Sequence, residues 1–223
     1  MNLLRVLITF SFLLQSACAV ALKPPRAAAT ARLVEGAYGS SIMRLDEFSV
    51  TGVDERRRTT GVSVIGVGGV TDESSTTRFT VMRQGRPFLE LTCSAGSEAP
   101  VMRMGSYKLN HPAYRVACDG DGFSLRLNGD PERPLSGVAR WRDEEYRVKT
   151  TFETANGGTS AHLGFVVEAR DGWVSTADIQ GPTWVAQPLR EEAREAMVLA
   201  NFGWASRRRV VTAEATGFII NRL

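Results

Sequence analysis

Two histidines, His111 and His162, are the only imidazoles among the 223 residues, so acid–base or metal chemistry has few groups to draw on near neutral pH. Neither belongs to an H-E-x-x-H pattern, and no C-x-x-C, G-x-S-x-G, Walker or G-x-G-x-x-G spacing occurs. Asn110-His111-Pro112 reads as a polar turn. Asp119-Gly120-Asp121-Gly122 looks like the opening of a calcium loop, but the further ligands and distal glutamate of such a loop are missing. Asp-Gly is instead a preferred hairpin turn. Asp143, Glu144 and Glu145 fall together in one turn, whereas glycoside hydrolysis needs two carboxylates facing each other across a cleft. These patterns predict no catalytic residue, no metal and no cofactor.

The cysteines carry more information. There are three, Cys18, Cys93 and Cys118. Met1 to Ala19 reads as an export signal, with Arg5 as the positive region, Val6 to Leu14 as the apolar stretch and small residues after it. Two endings compete. Ala17 and Ala19 form an A-x-A site with cleavage after Ala19. Ser16-Ala17-Cys18 resembles the end of a bacterial lipobox, in which Cys18 is lipidated and becomes the first residue, although Gln15 stands where that motif has leucine. Either ending leaves Cys93 and Cys118 as a pair in an oxidising compartment. In Phe88–Cys93 and Tyr114–Cys118 alternation sets both sulfurs on an apolar strand face, which predicts a disulfide. Two buried free thiols are the alternative.

Of the 27 basic residues only Lys23, Lys108 and Lys149 are lysines, and 24 acidic residues are interspersed to leave a net charge of +3. No single-sign field favours nucleic acid. Two arginine runs, Arg56-Arg57-Arg58 and Arg207-Arg208-Arg209, are candidates for contact with anions or lipid headgroups. The plainer readings are a solvated loop at Asp54–Arg58 and cations at a helix C-terminus.

These groups must be positioned by short strands. Residues 20–37, including the proline- and alanine-rich stretch Leu22–Glu35, read as a linker, and 38–223 as one β-rich domain. Phe123, Leu125 and Leu127 alternate with Ser124, Arg126 and Asn128, and Tyr146, Val148, Thr150 and Phe152 with polar neighbours. Hairpins are expected around Gln84-Gly85 and Arg170-Asp171-Gly172, and polar loops at Thr71–Thr77 and Ser94–Pro100. Trp141, Trp173 and Trp184 are expected as core anchors. The one long helix runs from about 188 to 206, opening on Pro188 with Glu191 and Glu192 in its first turn. From Met197 to Ala205 it is apolar all round except for Asn201, so it must be buried. A closing strand is expected at Val210–Ile220. Nine to eleven strands and one late helix predict a mainly β fold, an antiparallel barrel.

Gly164-Phe165, the Asp171-Gly172 turn, Ala177, Trp184-Val185 and then Glu192-Ala193-Arg194 opening an apolar helix resemble the C-terminal part of tubby-like barrels, the superfamily of phospholipid scramblases and LURP-one-related proteins. The resemblance covers roughly 50 residues. It implies a barrel of about twelve strands threaded by its hydrophobic C-terminal helix. The resulting expectation is a non-enzymatic, exported bacterial envelope protein, a lipid-tethered binding or structural module in the periplasm or at the outer membrane, or else secreted. Its partner is a protein or a lipid, not nucleic acid. The alternative is a lipocalin-like carrier of a small apolar ligand, with the helix outside a hollow barrel. The position of Met197, Phe202 and Trp204 separates the two.

Overall fold

The computed structural model describes residues 30–38, 43–64, 68–104, 107–110, 112–130, 133–154, 160–178 and 182–206. Fifteen strands and one helix occupy them. In chain order the strands are β1 (Ala31–Val34), β2 (Gly36–Tyr38), β3 (Met43–Leu45), β4 (Phe48–Val64), β5 (Gly68–Arg83), β6 (Arg86–Ser97), β7 (Val101–Met104) and β8 (Tyr107–Lys108). Then follow β9 (Tyr114–Gly120), β10 (Phe123–Gly129), β11 (Ser136–Trp141), β12 (Glu144–Thr154), β13 (Ser160–Ala169), β14 (Gly172–Asp178) and β15 (Thr183–Ala186). The helix α1 is Glu191–Ala205.

Side-chain alternation decides which face turns inward. In β10, Phe123, Leu125 and Leu127 are buried while Arg126 and Asn128 are exposed; in β12, Tyr146, Val148 and Thr150 are buried while Arg147 and Lys149 are exposed. The outer face of the sheet is thus charged, the reverse of the apolar outer band that a membrane-spanning barrel needs. No helix among the described residues is long and apolar enough to cross a membrane.

Antiparallel pairing runs in the order β1-β15-β14-β13-β12-β11-β10-β9-β6-β5-β4-β3-β2. The two ends of that order, β1 and β2, are consecutive in the chain with only Glu35 between them. One bent segment therefore pairs with β15 through Ala31–Val34 and with β3 through Gly36–Tyr38, and it nearly closes the thirteen-strand sheet into a barrel. A side-chain bond spans the same seam, between the Tyr38 hydroxyl and Thr183 Oγ1 at 2.7 Å. Burial pushes the Tyr38 phenol well above its usual pKa, against the smaller opposing effect of Thr183, so the hydroxyl stays protonated. Tyr38→Phe should lower stability by about 1 kcal/mol, because the buried Thr183 hydroxyl loses its partner; urea denaturation measures this directly.

The helix lies inside the ring. Its apolar half has no solvated side: Ala196 through Trp204 are all buried. Successive helical residues point about 100° apart, and three in a row meet three different parts of the wall. Phe202 packs edge-on to Tyr38 of β2 at 6.5 Å. At Gly203 an added Cβ would stand 2.9 Å from Cys118 Sγ and 3.1 Å from Leu125 Cδ2, so only glycine lets the helix approach β9 and β10 this closely. Trp204 stacks on Phe165 of β13 at 6.1 Å. Cys93 and Cys118 are cross-strand neighbours in β6 and β9 and form a disulfide, with Cα atoms 4.0 Å apart. Its sulfur is part of the wall against which the helix packs. Beside the helix, a cavity of about 10 Å³ adjoins Asn201, Tyr38 and Trp204, room for about one water molecule.

Several expectations change. The helix starts at Glu191, not Pro188: residues 187–190 turn the chain inward from β15, the Gln187–Pro188 bond is cis, and Arg190 caps the helix in an extended conformation. Residues 31–37 of the expected linker are strand, because Val34 and Tyr38 are buried and the β1–β2 segment is the closing stave, while residues 20–29 lie outside the described residues. Asp54–Arg58 and Thr71–Thr77 are strand, not loop, held by a continuous β4–β5 ladder, and β6 extends to Ser97 into the expected loop at 94–100. Of the three tryptophans only Trp141 is fully in the core; Trp173 and Trp184 are half-buried, since both lie on the partly covered face of their strands. The export signal, Cys18, Arg207–Arg209 and the stretch 210–220 lie outside the described residues.

Candidate interaction surface

One end of the barrel is sealed by ion pairs around the helix N-terminus. Glu195, buried in the first turns of α1, accepts from Trp141 Nε1 at 2.9 Å and from Arg83 at 3.1 Å, and Arg142 stands 3.5 Å away. Arg83 also pairs with Glu47 at 2.7 Å and with Glu191. Arg194 reaches Asp46 at 2.5 Å and Glu47 at 3.3 Å. Under these charges Phe48 packs edge-on against Phe88 at 5.6 Å, and Phe88 lies tilted against Trp141 at 5.9 Å. Trp141 was visible as an anchor in the sequence; Arg83, Glu47 and Glu195 were not, because residues 112 apart give no local signal of pairing.

Nearby, Arg190 forks onto Glu144 at 2.5 and 3.1 Å, and the Tyr146 hydroxyl donates to the same carboxylate. The bond from Arg190, then that from Tyr146, holds Glu144 below the usual carboxylate range. Burial, then Glu144 itself, pushes the Tyr146 phenol up. Both groups move away from neutrality, opposite to the tuning of a general acid or base. Glu47 is also lowered on balance: burial raises it, but the bond from Gln84 and the charges of Arg194 and Arg83 outweigh that. Carboxylates depressed in the folded state contribute stability above their unfolded pKa, about 4.3, and lose it as pH falls through the folded value. The urea midpoint is therefore expected to fall from about pH 5 toward about pH 3, with Glu144→Gln flattening that slope.

The other end carries a projecting arm. β4 and β5 pair continuously to Val64 and Gly68, beyond the point where β6 and β9 stop at Ser97 and Tyr114. β7 joins β5 through Gly69–Thr71, and β8 joins β7, so the arm is a four-stranded sheet. It holds little core; Val101 is buried, but outside the main cluster. Val62 faces Val70, Val70 faces Met102, and Leu109 donates its amide to Met102. These four cross-strand neighbours are 73, 42, 43 and 58% exposed, and Met104, two residues along, is 56% exposed. Five of the seven large apolar side chains that are exposed among the described residues thus lie in this one patch. Between 59–71 and 101–110 the charged residues are Arg103 and Lys108, with no anion.

At the root of the arm, on β4, lies the first arginine run. Arg56 is 3.5 Å from Asp54 and Arg57 2.7 Å from Glu55, all solvent-facing, while Arg58 has no ion pair among the described residues. On the barrel wall Arg126 is likewise tied to Asp119, Arg140 to Glu145 and Lys149 to Glu168. His162 sits on β13 opposite Phe152, and His111 lies outside the described residues. Among the described residues no three His, Cys, Asp or Glu side chains cluster as metal ligands do. The structure thus places the Arg56–Arg58 run next to an exposed apolar sheet whose sequence carries Arg103 and Lys108. Compared with known proteins, the chain matches no family model, no curated protein and no solved structure.

Proposed function

We propose that the chain is an exported, non-enzymatic envelope module, tethered through a lipid on Cys18 or free in the periplasm, that acts through its outer surface as a binding or structural element. One observation carries this reading: Phe202, Gly203 and Trp204 press on three parts of the wall, so the barrel encloses its own helix instead of a ligand. The exposed arm carries five of the seven exposed large apolar side chains among the described residues, and contiguous exposed apolar patches mark interaction sites. A ring of strands around one C-terminal helix also supports the resemblance to tubby-like barrels. The lipocalin-like carrier needs the helix outside and a hollow interior; the burial of Met197, Phe202 and Trp204 weighs against it.

Mass spectrometry of the protein from membrane and soluble fractions, together with a broad hydrolase panel, tests the proposal. A diacylglyceryl group on Cys18, or an N-terminus at Val20 in the periplasmic fraction, and no turnover are expected. An uncleaved cytoplasmic chain, or turnover abolished by one substitution, overturns it.

A further inference from the structure

The two edges of β4 are unequal. β5 pairs with it from Phe48 to Val64. On the other side β3 pairs only with Phe48 and Ser49, and among the described residues no strand pairs with β4 from Val50 onward. Such a row of free N–H and C=O groups is a template for another strand, and proteins commonly blunt it with charge. Charge is present here, but it is ordered: two anions, Asp54 and Glu55, then three cations, Arg56, Arg57 and Arg58.

Consider a second copy of β4 laid antiparallel on this edge, related by a twofold axis through Arg56. Residues whose numbers sum to 112 then face each other. Asp54 meets Arg58 of the second copy and Glu55 meets Arg57, each pair formed twice, and only Arg56 faces its own kind. Moving the axis to Glu55 sets glutamate against glutamate and leaves Asp54–Arg56 as the attractive pair. Moving it to Arg57 makes three arginine–arginine pairs. A parallel, in-register pairing opposes every charge to its like. Like charges directly opposite each other destabilise a sheet and unlike charges stabilise it. The sequence thus rejects the neighbouring registers and favours one.

We infer that the free edge of β4 is where a second copy of this chain joins, antiparallel and centred on Arg56. The inference rests on the reading of the outer surface as the working part and names its partner. Arg58, which has no ion pair among the described residues, gains a carboxylate, and Arg57 exchanges its along-strand pair with Glu55 for a cross-strand one, while Arg56 gains no new carboxylate. The bulge at Gly52–Val53, where the β4–β5 register shifts between Thr51 and Asp54, limits the matched ladder to Asp54–Arg58 in each copy. So short an interface makes a reversible dimer, with a dissociation constant in the micromolar range.

Sedimentation velocity of the mature full-length chain across the micromolar range tests this. The expected result is a monomer–dimer equilibrium that weakens with added salt. Glu55→Arg turns two attractive pairs into repulsive ones and should weaken the dimer at least about tenfold. Adding Arg57→Glu to it restores opposite charges in the same register and should restore the dimer. Arg56→Cys should cross-link copies through residue 56, while Thr60→Cys should not. These side chains are exposed, and an unchanged thermal midpoint confirms that each variant is folded. A chain that is monomeric throughout, or a dimer indifferent to Glu55→Arg, overturns the inference. Neither result touches the lipid, compartment and turnover tests of the proposed function.

Discussion

Phe202→Ala is expected to lower the unfolding free energy by about 3–5 kcal/mol, the usual cost of emptying a phenylalanine site in a packed interior. Phe202 is fully buried, packs on Tyr38, and belongs to the run Ala196–Trp204, in which every residue is buried. A helix held within a ring of strands cannot collapse into the gap without moving the strands, which favours the upper part of that range. Leu33→Ala is the control: that side chain is 50% exposed, and its loss should change stability by no more than about 0.5 kcal/mol. Urea denaturation of both variants reads the difference. Similar small losses for both would mean that Phe202 is not enclosed.

The second large effect is expected at the disulfide. Cys93 and Cys118 are 25 residues apart in sequence, and in the chain-entropy account closing such a loop contributes about 3 kcal/mol. Cys93→Ala with Cys118→Ala should cost about that much. Some further loss is expected because Cys118 Sγ lies against the position of Gly203, where the helix has no side chain to fill a gap. An intact mass two daltons lower before reduction than after would report the bridge. No change in the urea midpoint on reduction would contradict the account.

The sequence showed the parts of this fold in which one face is buried and the other is wet. β10 and β12 alternate cleanly because each divides core from solvent, and the all-round apolarity of Met197–Ala205 required burial before any coordinates. The cysteine pair was legible because both residues fall on inward positions of their strands. The arm was not. Val62, Thr60 and Arg58 lie on one face of β4 and Gly61, Thr59 and Arg57 on the other, and both faces are exposed, so no period-two contrast marks the strand. Asp54–Arg58 consequently reads as a loop although its backbone is fully paired with β5. The closing role of Ala31–Tyr38 was hidden for another reason: its partners, β15 and β3, are set by long-range pairing, and a small-residue run next to prolines carries the composition of a linker. The seal around Glu195 likewise joins residues from four separate elements. Of the sequence-named contact residues, Arg56–Arg58 are placed on the arm's root, where their order along the strand matters more than their number.

The barrel encloses its own C-terminal helix. Native-state hydrogen exchange with mass spectrometry tests this enclosure most directly. Amides of Ala196–Trp204 should exchange only through global unfolding, as slowly as those of β9 and β10, because the helix cannot leave the ring without opening it. Exchange of these helix amides through a local opening, orders of magnitude faster than the barrel strands, would contradict the account and place the helix outside the core.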